Sequence, residues 1–133
     1  MGPTIIAHVD TATAAQRWLD VWRRGWSELD PEPVAALYAD RALFVTHPFR
    51  DPESPGDYIR RAFAEEDWAE PWFGEPIVDG DRAAVEWFAN TREDGLDITL
   101  SGISLLRFDD EGRCVEQRDT WVVEEGLRER PQR

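Results

Sequence analysis

The chain has no lysine: all 15 of its basic side chains are arginine, and they face 28 Asp and Glu residues for a formal net charge of −13. That excess repels phosphate backbones and anionic lipid surfaces, so nucleic acid and membranes are not expected partners. There is one cysteine in 133 residues, which excludes an internal disulfide. With only two histidines, no Cys/His set has zinc spacing, and neither a metal nor another cofactor is expected. No run approaches the ~20 apolar residues of a membrane span. The first residues, from Met1 to His8, lack a basic stretch followed by an apolar one. No signal peptide is read there, and a cytoplasmic location is expected. Low-complexity segments, repeats and linkers are absent too, so a single domain is the simplest reading. What is abundant is tryptophan, with seven.

Hydrophobic spacing gives helices first and strands afterwards. Thr13-Ala14-Ala15-Gln16 has the form of a capping box, so a helix is expected from residues 11–13 to about Leu29. Its stripe is Ala15, Trp18, Trp22, Trp26 and Leu29. Asp30-Pro31 starts a short second helix with Val34, Leu37 and Tyr38 on its buried side. A strand over residues 42–48 stops at Pro48, and Ser54-Pro55 opens a third helix carrying Ile59, Ala62 and Phe63. That helix is expected to fray at residues 65–67.

From Trp72 the period becomes two, giving expected strands at 72–78, 82–92, 96–108 and 114–123. The turns between them are short, which makes neighbours antiparallel. Ala83, Val85, Trp87 and Ala89 form one apolar face, and Glu86 and Phe88 point outward. Gly102 suggests a bulge or a sharp bend in the long strand, and a bulge would reverse the phase beyond it. The last strand sets Val115, Gln117, Asp119, Trp121 and Val123 on one side, with Cys114 on the wetter side. Asp119 thereby falls among apolar neighbours, as the wall of an internal pocket or as a structural carboxylate. The tail over residues 124–133 is charged and expected to be loose.

Three stretches, taken with this order of elements, resemble the NTF2-like superfamily and its SnoaL-like branch across roughly residues 12–123. They are Ala36-Leu37-Tyr38-Ala39-Asp40-Arg41-Ala42 running into Val45-Thr46-His47-Pro48, then residues 79–87, and Glu116-Gln117-Arg118-Asp119-Thr120-Trp121. The resemblance implies an α+β cone, three N-terminal helices packed on a curved, mostly antiparallel sheet. It also implies a cofactor-independent acid/base enzyme of isomerase, cyclase or lyase type acting on a flat apolar metabolite. The alternative is a non-catalytic ligand-binding or dimerisation module, since one fold hosts many activities.

Ketosteroid isomerases of the superfamily place a proton-abstracting Asp before a proline on the first strand, where His47 stands here. Limonene-epoxide-hydrolase-like members carry an acid/base Asp in an Arg-Asp-Tyr setting, which Arg118-Asp119-Thr120 matches apart from its Thr. His47 and Asp119 are thus the expected catalytic pair, projecting into one cavity. Trp18, Trp22, Tyr38, Val45, Phe63, Trp87, Ser104 and Trp121 are the expected ligand contacts, with an indole of the first helix as a donor or a wall. A homodimer through the sheet is also expected.

Overall fold

The structure, a computed structural model, describes residues 8–130 and residue 132. The expected absence of a signal peptide falls almost wholly on residues outside that set. Helix α1 (Thr11–Glu28) buries Ala15, Trp18, Trp22 and Trp26 of the expected stripe, with Ala14 and Leu19 beside them, while Leu29 is its half-buried, left-handed C-cap. Its cap is Asp10, whose carboxylate accepts the Thr13 N–H at 2.8 Å, in place of the expected Thr13 box. Helix α2 (Pro31–Ala35) is a five-residue turn, ending before Leu37 and Tyr38. Tyr38 instead opens β1 (Tyr38–Val45), because the Leu37 carbonyl accepts the Cys114 N–H and draws the chain into the sheet. Helix α3 (Pro55–Glu65) does not fray: β2 (Glu66–Phe73) follows at once.

The expected strand over 72–78 is split between β2 and β3 (Ile77–Asp79), with the Gly74 N–H donated to the Glu86 carbonyl in the gap. Then come β4 (Arg82–Glu93), β5 (Leu96–Phe108) and β6 (Cys114–Glu125). They form one sheet in the order β1-β6-β5-β4-β2, with β3 also on β4 and only β1–β6 parallel. The expected α+β architecture of helices against a mostly antiparallel sheet is present. The picture of three N-terminal helices on that sheet is corrected. Two of the three described helices are short, β1 intervenes between them, and α2 packs on α1 and α3.

Three phase details place the site. The β4–β5 register runs unbroken through Gly102, so the expected bulge there is absent. Gly102 is needed for closeness instead: a Cβ would lie 2.7 Å from the Thr120 carbonyl, from Trp121 Cβ and from the Trp87 ring. The register shift lies at Arg107/Phe108, opposite Cys114 and Glu116. It turns Cys114 into the core, where it is fully buried, against the expected wetter side.

On the outer face Phe88 is 8% exposed, against expectation, and the C-terminal segment is the reason. Asn90 donates to the Arg128 carbonyl and accepts the Arg128 N–H, Thr99 donates to Gly126, and Arg130 stacks on Trp72, which opposes Phe88. The segment expected to be loose is therefore tied across β4 up to Arg130; Pro131 and Arg133 lie outside the described residues.

Candidate functional site

Between the helices and the inner face of the sheet lies a cavity of about 450 Å³. Its walls are aromatic: Trp18, Trp22 and Trp26 from α1, Tyr58 and Phe63 from α3, Phe73 from β2, Trp87 from β4 and Trp121 from β6. Helical spacing of 3.6 brings residues 18, 22 and 26 onto one face, and strand alternation turns Ser104, Gln117, Asp119 and Trp121 to the same interior.

Indole N–H groups can only donate, so they set the direction of every bond around them. Trp22 Nε1 donates to the Tyr38 hydroxyl at 2.9 Å, leaving that hydroxyl to donate its own proton to Gln117 Oε1. Trp18 Nε1 donates to the same Gln117 oxygen at 3.1 Å. Gln117 must then present its amide Nε2 on the other side, and this donates to Asp119 Oδ1 and Oδ2 at 3.1 and 3.2 Å. A second chain arrives from β4 and β5: Trp87 Nε1 donates to Ser104 Oγ at 3.0 Å, and Ser104 donates to Asp119 Oδ1 at 2.6 Å. Both chains end on one carboxyl group, and neither brings it a positive charge.

Burial among these neighbours raises the Asp119 carboxyl to about 7, while the bonds from Ser104 and Gln117 pull it back. Its acid and base forms are therefore both present near neutrality, the condition general acid/base chemistry needs. Burial also pushes the Tyr38 hydroxyl well above its usual range, which keeps it a neutral donor.

A second carboxyl group lines the far part of the cavity. Glu66, the first residue of β2, accepts the Trp26 N–H at 2.8 Å. Burial raises it to about 7, with Trp26 opposing and Glu93 and Glu65 adding to the rise. The Trp26 and Trp87 rings meet edge to face at 5.8 Å, so a row of two indoles links the two acidic ends. Near α3 the lining is charged: Arg61 binds Glu53 at 2.6 Å and lies over the Tyr58 ring, and Arg50 lies 5.3 Å over Trp121.

Of the expected contacts, Trp18, Trp22, Phe63, Trp87, Ser104, Trp121 and Asp119 all line the cavity. Tyr38 stands behind the wall, bonded to Trp22 and Gln117, and Val45 pairs with Arg118 in the β1–β6 ladder. His47 is not brought to Asp119. Its Nδ1 accepts the Phe49 N–H at 3.2 Å and its ring packs edge-on against Trp121, because the chain bends away after Val45. The indoles of α1 are walls and not ligand donors, since each N–H is already given to the protein.

Sequence reasoning missed Gln117 as the hub and Glu66 as the second acid. Gln117 was legible in principle, two residues before Asp119 on the same strand face. Glu66 was not, because its pocket needs α1 and β4 to form.

A family model described as a SnoaL-like domain matches residues 15–117. Among solved structures, the epoxide hydrolase/cyclase-like enzyme SalBIII, named for pyran ring formation in the polyether salinomycin, aligns at 13% identity with TM-score 0.72. That alignment covers 86% of this chain and 99% of that one. An LEH-like epoxide hydrolase of M. tuberculosis aligns at 18% identity and TM-score 0.69, over 83% of this chain and 84% of that one. An NTF2-like protein from Exiguobacterium sp. 255-15 aligns at 18% and 0.68, over 83% of this chain and 98% of that one. At such identities the likeness is one of fold. No curated protein matches the sequence.

Proposed function

This chain belongs to the SnoaL-like domain family, and from that premise we propose that it is a cofactor-independent acid/base enzyme acting on a mostly apolar small molecule in the aromatic cavity. The observation that carries the reading is the single carboxyl group on which two chains of neutral donors converge. Ser104 and Gln117 hold Asp119 in one orientation, and burial sets its proton affinity near neutrality. Such a group delivers a proton to a carbonyl or epoxide oxygen in its acid form and removes one from carbon or water in its base form, worth about 10²–10⁴-fold. Ring closure and epoxide opening, the reactions named for two structural neighbours, both need that exchange.

Asp119 is the acid/base in this reading, and His47 has no part in the transfer. The substrate is flat, held between Trp22, Trp87 and Trp121. Incubating the protein in D₂O with a panel of flat ketones and epoxides, and following deuterium uptake and ring opening by NMR, tests it. Turnover by the wild type that Asp119→Asn reduces at least about 100-fold, with His47→Ala unaffected, is the expected result. Equal turnover by wild type and Asp119→Asn would sink it.

A further inference from the structure

The cavity's charge is out of balance. Glu53, Glu65, Glu66, Glu93 and Asp119 reach its lining, against Arg50 and Arg61. Both arginines are engaged on the α3 side, Arg61 with Glu53 and Arg50 with Thr46 and the Trp121 ring. At the other end Glu66 stands directly opposite Glu93 in the β2–β4 ladder, an unfavourable placement for like charges. Among the described residues no ion pair reaches Glu66, Glu93 or Asp119. Trp26 orients Glu66 but, being neutral, cannot balance it. Nor do three acidic, His or Cys groups among the described residues converge as metal ligands would. The negative charge is instead spread along an organic-sized cavity walled by indoles, whose faces attract cations.

We propose that the cavity takes an apolar guest carrying one positive charge, a protonated or quaternary amine. Its head sits beside Glu66 and its body runs along the Trp26–Trp87 row towards Asp119. This deepens the acid/base reading by naming a substrate class, and it rests on the cavity being a ligand site. Glu66 is then the specificity-determining residue and Asp119 the reacting one.

The test is titration calorimetry at pH 8 with benzyltrimethylammonium, its uncharged isostere neopentylbenzene, the anion 3-phenylpropionate, and naphthalene as a neutral flat probe. The ammonium is expected to bind at least about tenfold more tightly than its isostere. Glu66→Gln, which keeps an oxygen for the Trp26 N–H, should remove most of that tenfold and leave the isostere unchanged. Glu93→Gln, outside the Trp26 bond, should act in the same direction and serves as the second variant. Equal binding of ammonium and isostere, or tighter binding of the anion, overturns the cationic guest while the cavity reading stands. If no probe binds, naphthalene included, both fall.

Discussion

Asp119 concentrates the chemistry of the molecule into one proton. Its folded value of about 7 lies above the ordinary 3.8, so the native state holds that proton more tightly than the unfolded chain does. The stability this contributes is complete below about pH 4 and is lost as pH rises through about 7. Glu66, raised for the same reason, adds a loss of the same sign. Urea unfolding at pH 5 and pH 8 should therefore show a wild type less stable at the higher pH. Asp119→Asn should narrow that gap by on the order of 2 kcal/mol; an unchanged gap would contradict the burial argument. Gly102 makes a second residue-scale point. Gly102→Ala should cost about 1–3 kcal/mol, read as a lower denaturation midpoint, because the new methyl meets the Thr120 carbonyl and two indole-bearing residues at 2.7 Å. Strand parity alone was enough to single out Asp119. It could not say that Gln117 joins Asp119 to Tyr38 and Trp18, since those partners lie 79 and 99 positions from Gln117.

Elements show where local signals suffice. The α1 stripe of Trp18, Trp22 and Trp26 follows from helical spacing, and those indoles became the wall of the cavity. The cap lies three residues before the Thr13 box because Asp10 and Thr13 both have capping side chains, and only the fold decides which meets a free N–H. Asp10→Ala is expected to lower stability by about 1 kcal/mol, checked by thermal melts, whereas Thr13→Ala should be near neutral. The late start assigned to β1 has a similar origin. Tyr38 reads by spacing as the end of the second helix and becomes strand by pairing with β6, ahead of a kink in which Arg41 has φ 61°. The bulge opposite Cys114 has a related reason: a register shift belongs to a pair of strands, and nothing in the sequence of β6 alone marks Val115 as the extra residue.

For the whole molecule, the outer sheet face carries the exposed apolar residues. Ile103, Leu105 and Val122 are exposed on β5 and β6, next to the part of β4 that the C-terminal segment ties down. We propose that this face is an interaction surface covered by a second copy of the chain. Light scattering after size exclusion should give a dimer, and Leu105→Arg, at 53% exposure, should give a folded monomer. A monomeric wild type at high concentration would exclude the homodimer. No helix is long and apolar enough to cross a membrane among the described residues, and the net charge of −13 disfavours anionic surfaces.

Periodicity and composition determined the helices, the strand-rich second half, the interior side of Asp119 and the aromatic character of the pocket, because each depends on neighbours within a few positions. Tertiary structure decided which groups meet: it set His47 aside, made Gln117 the hub, put Glu66 opposite Glu93 and folded the tail over Phe88. These outcomes turn on strand register and on the shift opposite Cys114, and a pattern read along a single chain carries neither.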